Sequence, residues 1–550
     1  MSIAFICLEY GLSSNMKTYA GGLGILAGDI MKSATDLNMD FYGIGLLYTK
    51  GYLKQGIDAH SNYQTEQTDE WDITKHLRLS DKQFSLKLRD RTIQTRVWIY
   101  DVKSEFGKVN QVYFLDTDFG DNHELDRSIC HTLYSPDADI RLMQELLLGF
   151  GGVEIMKQFD LLEDTDKIHL NESNVAFIVP ALHEIYGDSI KEKLVFTTHT
   201  PIKAGHKKYE RHFLEERISD ELMKKIDAIS GPYPLNLTEF CLYWADFTNG
   251  VSRKHSLVTK EMYPGRHVEY VTNGVHHLSW TTSHTQNLFD RYLPEWRQNP
   301  FELHNVPEIE DEDIFATHRL NKLELIEFVK TRAGITLNED MFTIGFARRA
   351  DGYKRHDFLL YDIDLLKSIA EKFDGLQVIY AGKAYFGGGG QQSSIAHINH
   401  IAQQSLGDKL RIVFIPDYSM DVSLKMVSGC DVWLNNPQKP LEACGTSGMK
   451  AALNGVPNFS VLDGWWSEGW VENETGWNIG DDNRESTVQQ MNEYDELATV
   501  YKKLEEVIMP KYYYDTKDWY RIMKHAVALN GSYFHGTRMM EEYSAKAYQS

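Results

Sequence analysis

The residues best suited to chemistry lie in the segment Pro440–Gly455, which reads PLEACGTSGMKAALNG. Gly445, Thr446, Ser447 and Gly448 make a turn whose amides and hydroxyls suit an anion, and Lys450 follows on the first turn of a helix. This is not a Walker A loop, because the Gly-Lys-Ser/Thr order is absent. Phosphate-binding amides beside a helical lysine suit pyridoxal phosphate held by a Schiff base, as one chemistry among several. A second candidate is Arg348–Arg355, with four basic residues in eight. Arg349 supplies a planar fork and Lys354 a point charge, which together suit a phosphate. In isolation the stretch reads equally well as a loop paired with surface carboxylates, and its place after an apolar strand favours the phosphate. Third, Gly21-Gly22-Leu23-Gly24 leads into a helical pattern, where free amides attract anions. Its spacing is not the dinucleotide G-x-G-x-x-G, and alone it reads as an ordinary loop-to-helix turn.

These motifs must be positioned by strands and helices, and the sequence supplies both in alternation. Short runs rich in β-branched and aromatic residues recur at 2–8, 41–48, 95–101, 111–116, 193–198, 341–346, 376–381, 411–415 and 431–434. Helical spacing marks 25–38 and 140–156, and the chain from about Asp518 reads as helix with Trp519, Ile522, Met523 and Ala526 on one face. The alternation predicts mainly parallel sheets with helices on both faces. A middle stretch at about 275–335 is short of strand signals; its acidic run Glu308–Asp313 reads as a solvated face or helix start. Gly387–Gly390 reads as a flexible loop. Polar residues follow five apolar runs: Asn171-Glu172-Ser173-Asn174, Thr198-His199-Thr200-Pro201, Thr272-Asn273-Gly274, Arg348-Arg349 and Asn435-Asn436-Pro437. Ligands of open α/β sheets bind at such strand ends, and five drawn from both halves point to a cleft between two domains.

Composition narrows the function classes. With 57 Lys and Arg against 79 Asp and Glu in 550 residues, the formal charge is −22. That argues against a general nucleic-acid binder but leaves room for a local basic pocket. Length alone gives about three to four domain-sized units. Hydrophobic residues at 42% and charged residues at 25% fit a globular protein with a large core. Cys7, Cys130, Cys241, Cys430 and Cys444 are widely spaced with no C-x-x-C, so neither disulfides nor a zinc site is expected and no metal is assigned. Met1–Leu8 reads as a first strand and no apolar stretch approaches a membrane span, so the expected location is the cytoplasm, with no membrane partner.

Taken together, the blocks Tyr19–Asp29, Thr198–Pro201, Thr272–Gly274, Arg348–Arg355 and Glu442–Lys450 resemble the α-glucan phosphorylases, in a compact form. Glu-Ala-x-Gly-Thr-x-x-Met-Lys is similar to that family's cofactor signature. The resemblance implies a glycosyltransferase-B fold: two Rossmann-like domains, 1–275 on the glucan and Gly-loop side and 276–550 on the cofactor and phosphate side, with an interdomain active-site cleft. The segment from about 518 would pack back on the first domain. It further implies reversible, retaining phosphorolysis of terminal α-1,4-linked glucose from glycogen or maltodextrin, by inorganic phosphate, to glucose 1-phosphate. Lys450 would carry pyridoxal 5′-phosphate, whose 5′-phosphate serves in acid–base catalysis; a second phosphate pKa near 6 suits that role. Gly445, Thr446 and Ser447 match the cofactor-phosphate turn, Arg348 a basic residue near it, and Trp280 an aromatic close to the cofactor. Arg349 and Lys354 match the substrate-phosphate ligands. Gly22 and Leu23 match the loop that meets phosphate and sugar, and Asn273, Glu442, Ala443, Cys444 and Gly445 match glucose ligands. His199 matches the histidine whose carbonyl faces the sugar. Family members are often dimers.

Three departures mark this chain. Asn174 stands where compact relatives have histidine, and Cys444 stands where serine is usual, which points to an altered chain-length or sugar preference. Ala350-Asp351-Gly352 differs from the usual filler between the basic residues, with an expected effect on loop shape only. The rival functions are a sugar-nucleotide-dependent glycogen or starch synthase, which has no use for Lys450, and a non-catalytic glucan-binding protein, which has no use for Arg349, Lys354, Glu442 and Lys450 together.

Overall fold

A computed structural model describes the chain apart from residues 59–62, 67–69, 90, 385–388, 405 and 550. It divides into two compact units: Met1–Leu53 with Gln67–Thr272 and Met539–Ser550, and Lys54–Glu66 with Asn273–Arg538.

The first unit is built on nine strands: β1 (Ser2–Cys7), β2 (Asp40–Leu46), β3 (Arg78–Leu86), β4 (Ile93–Lys103), β5 (Val109–Asp116), β6 (Thr165–Asn171), β7 (Leu194–Thr197), β8 (Phe247–Gly250) and β9 (Glu269–Tyr270). They lie in the order β9-β8-β7-β6-β1-β2-β5-β4-β3. All neighbours are parallel except around β4, which runs antiparallel to both β3 and β5. Successive side chains of a strand face opposite sides of a sheet. In β1, Ala4 and Ile6 therefore join one apolar core and Ile3, Phe5 and Cys7 the other. Helix α1 (Gly22–Asp36) covers the second face and α2 (Ala138–Gln158) the first, α2 being capped by Asp137, whose side chain accepts from the Asp139 and Ile140 amides. The last residues of the chain, including Met539, Tyr543 and Tyr548, complete the core on the α1 side.

The second unit carries six parallel strands: β10 (Phe342–Ala347), β11 (Leu376–Ala381), β12 (Leu410–Ile415), β13 (Val432–Asn435), β14 (Asn458–Val461) and β15 (Gly476–Ile479). Their order, β12-β11-β10-β13-β14-β15, is the 3-2-1-4-5-6 arrangement of doubly wound dinucleotide-binding sheets. Every residue of β10 and β11 is buried, as expected for strands covered on both faces. Helix α3 (Asp311–Ala333) opens on Asp311, Glu312 and Asp313 and ends on Lys330, Arg332 and the left-handed Gly334, so charges complement its dipole at both ends. The acidic run is a helix start. Of the tetraglycine, Gly387 and Gly388 lie outside the described residues, whereas Gly389 and Gly390 open a helix that runs to Ala402 instead of extending a loop.

The sequence reading misses β3, β8, β14 and β15. β3 is an edge strand whose residues are mostly exposed, and the other three have only four residues each, too short for a clear period. Among the described residues no helix is long and apolar enough to cross a membrane.

Candidate active site

In a doubly wound sheet the ligand crevice opens where the strand order reverses. In the second unit that point lies between β10 and β13. The loop leaving β10 carries Arg348, which donates through Nη1 to Asn435 Oδ1 at the end of β13 and through Nη2 to Glu442 Oε2. Both Arg348 and Glu442 are buried, so each charge depends on the other for compensation. The Glu442 amide in turn donates to Asp463 Oδ2 at 2.8 Å. Arg348 Nε is buried without a hydrogen-bond partner, a guanidinium donor not used by the protein.

Three residues along the same loop form a second charged group. Asp351 Oδ2 lies 3.2 Å from Arg349 Nε and 3.3 Å from Lys354 Nζ. Burial, reinforced by Arg348 and Arg349, lowers the Lys354 ammonium to about 8 against the pull of Glu442 and Asp351. For Asp351, burial acts upward, but Arg349 and Lys354 outweigh it and hold the carboxyl below its usual range. Asp351 thus does more than the loop shaping expected from the sequence, since it pairs with two cations.

Helix α4 (Ser447–Leu453) follows the Gly445 turn. Gly445 has φ +80°, a left-handed conformation that glycine adopts without strain. At Gly448 a Cβ would stand 2.2 Å from Asn458 Oδ1 and 2.9 Å from the Trp465 ring, so a side chain there would have to displace both. The Ser447 hydroxyl accepts from Trp433 Nε1 at 3.1 Å. Lys450 is 5% exposed, and its Nζ lies 3.6 Å from the centroid of the Trp280 ring, itself buried. Asn454 ties the two together by donating to the Trp280 carbonyl at 2.7 Å and the Lys450 carbonyl at 2.9 Å. Asn273 hydrogen-bonds the Cys444 thiol, which burial pushes well above its ordinary range, and the Asn273 carbonyl accepts from Arg538 at 2.9 Å. Ala443 and Thr446 lie in the same turn, half-buried.

The remaining candidates belong to the first unit. Its own strand order reverses between β1 and β6. After β6, Glu172 adopts φ +76° and accepts three local donors: Ser173 N at 2.8 Å, His199 N at 2.7 Å and Thr200 Oγ1 at 3.1 Å. Burial raises this carboxyl, but His199 and the two amides outweigh it and the net direction is down. His199 Nε2 sits 2.7 Å from Asn171 Oδ1, an arrangement with the ring proton on Nε2. Burial lowers this imidazole to about 4, so it is neutral. After β1, the Glu9 carboxylate accepts the Ala20 amide at 2.7 Å, the Gly21 amide at 3.3 Å and the Tyr134 hydroxyl at 2.6 Å. Gly22 is exposed and Leu23 half-buried at the start of α1, while a Cβ on Gly24 would come within 2.7 Å of the Glu9 carboxylate. Asn174 lies in the single turn Ser173–Val175.

Sequence reasoning did not single out Asp351, Asn435, Asp463, Glu9 or Glu172 as site residues. Asn435 and Glu172 stand in polar strand-end motifs and were legible as such; Asp463 and Glu9 meet donors well separated from them in sequence, Glu442 N for the one and Ala20 N and the Tyr134 hydroxyl for the other, which no local pattern records.

A parallel doubly wound sheet with paired cations and a buried lysine at its strand ends marks an α/β protein whose residues there suit an anionic ligand. The chain belongs to the carbohydrate phosphorylase family, whose profile matches residues 189–508. It is 35% identical to a maltodextrin phosphorylase of Thermococcus litoralis, over 99% of this chain and 70% of that protein. It is 34% identical to a glycogen phosphorylase of Aquifex aeolicus, over 99% and 86%. An uncharacterized protein of Methanocaldococcus jannaschii is 30% identical over 99% of both chains.

Proposed function

We propose that the chain is an α-glucan phosphorylase, which removes terminal α-1,4-linked glucose from maltodextrin or glycogen with inorganic phosphate and releases α-D-glucose 1-phosphate, reversibly and with retention. The observation that carries this reading is the buried Lys450 over Trp280, with the buried Arg348–Glu442 pair in the same unit, in a chain related to proteins named maltodextrin and glycogen phosphorylase. In this reading Gly22, Leu23 and His199 serve the sugar and phosphate, and Lys450, Arg348, Arg349 and Lys354 are the cofactor and phosphate ligands.

The residues fit pyridoxal 5′-phosphate as the cofactor. Lys450 is buried where an amine must be kept from water, and the unpartnered Nε of buried Arg348 is a donor suited to a phosphate. Lys450 would hold the group covalently, Trp280 would lie against it, and Gly445, Thr446, Ser447, Arg348 and Gly22 would surround it. When bound, it supplies a phosphate that titrates near neutrality and can take part in acid–base exchange with the substrate phosphate.

The chain's own residues then have separable tasks. Arg349 and Lys354 bind the substrate phosphate, one through a fork and one through a point charge. Glu442, fixed by Arg348 and by its amide bond to Asp463, accepts a glucose hydroxyl, and the Ala443–Gly445 main chain and Asn273 orient the same sugar. His199 is held by Glu172 and Asn171, so its carbonyl is preset to face positive charge developing on the sugar. Cys444 leaves a main-chain contact in place but presents a neutral thiol in place of a hydroxyl.

The test is a product assay on maltose, longer maltodextrins and glycogen. Phosphate should release α-glucose 1-phosphate, and a nucleoside-diphosphate glucose should not elongate the glucan. Elongation without phosphorolysis would establish the synthase reading instead.

A further inference from the structure

We propose that Asp351 is the resident anion of the phosphate site: its carboxylate holds Arg349 and Lys354 until inorganic phosphate displaces it, and it thereby sets the affinity for that substrate. This rests on the reading of Arg349 and Lys354 as phosphate ligands. One oxygen, Oδ2, stands within 3.3 Å of both cations, the place a phosphate oxygen would take. The Asp351 side chain is 12% exposed, so the pairing is poorly screened by water. The other charged groups facing Lys354 are Arg348 and Glu442, which are engaged with each other.

The carboxylate is not what holds the loop. The Asp351 amide donates to the Arg349 carbonyl at 2.9 Å, and the Lys354 amide donates to the Asp351 carbonyl at 2.9 Å. Ala350 donates to Lys383 O at 2.8 Å, and Gln438 to Tyr353 O at 2.7 Å. All four bonds are main chain to main chain and survive any change of the Asp351 side chain. Removing the negative charge therefore takes away the carboxylate that Arg349 and Lys354 share and leaves the loop main chain as it was.

The experiment compares the unaltered protein with Asp351→Asn, which keeps the shape of the side chain, and with Asp351→Ala. Calorimetric titration with inorganic phosphate and with sulfate reads anion binding directly, and phosphorolysis at saturating maltodextrin reads the phosphate KM. Both substitutions should tighten both anions and lower the phosphate KM by about tenfold, close to 1.4 kcal/mol, with the maltodextrin KM unchanged. An unchanged or higher phosphate KM would overturn the inference and make Asp351 a support for its neighbours. If the unaltered protein binds no phosphate and releases no glucose 1-phosphate, the phosphate-ligand reading itself falls, and this inference with it.

Discussion

Raising the pH should weaken phosphate binding through Lys354. Burial strips water from this ammonium, Arg348 and Arg349 repel it, and the carboxylates of Glu442 and Asp351 offset only part of the loss, leaving a value of about 8. The charged form that phosphate needs is lost as pH rises through that value. For a free-enzyme group of this kind, the phosphate KM scales as one plus the ratio of neutral to charged lysine, so it should rise about tenfold between about pH 7 and about pH 9. The assay is initial-rate phosphorolysis over a phosphate series at each pH, with maltodextrin saturating and near-ultraviolet circular dichroism confirming the fold. Lys354→Arg keeps its charge across this range and should flatten the profile, whatever the change in absolute KM from exchanging a point charge for a fork. A wild-type KM that is constant over the range, or an arginine variant with the same slope, would refute the assignment.

Three further outcomes are expected. Lys450→Ala should lose both the absorbance band of bound pyridoxal phosphate and phosphorolysis while retaining the far-ultraviolet spectrum of the parent; retention of the band would place the cofactor elsewhere. Glu496→Ala should lower stability by about 3–5 kcal/mol in chemical denaturation, because it strands the buried Arg355 guanidinium, whereas Lys502→Ala at the exposed Lys502–Glu506 pair should change it by less than about 1 kcal/mol. Acid should destabilise the fold through His169, lowered by burial to about 3, and His255 and His356, lowered to about 4. These rings are neutral in the native state and take up protons on unfolding below their ordinary value of 6.5, so stability is intact above that value and falls by about 1.4 kcal/mol per pH unit for each ring below it. An unfolding midpoint that does not move between about pH 7.5 and 5.5 would contradict this.

Much of the architecture was legible because buried parallel strands leave apolar runs: Phe342–Ala347 and Leu376–Ala381 have no exposed residue and stand out from their flanks. The edge strand Arg78–Leu86 did not, since one face meets water and its sequence is mostly polar. At the site, Arg349, Lys354 and Lys450 were legible by type and spacing. The partners that tune them were not. Asp463 reaches the Glu442 amide across 21 positions, and Asn435 meets Arg348 across 87, because adjacent strands of a doubly wound sheet are distant in sequence. Asp351 was legible only as a change of loop shape, since sequence does not place one carboxylate oxygen between two cations three residues or fewer away.

The most direct test of the central claim is to find the cofactor's attachment point in active protein. Enzyme that is releasing glucose 1-phosphate from maltodextrin is reduced with hydride, digested and analysed by peptide mass. The peptide containing Lys450 should carry the mass of the reduced cofactor and no other lysine should. Active enzyme with the cofactor on a different lysine, or with none, would contradict the assignment of Lys450 and of the site built around it.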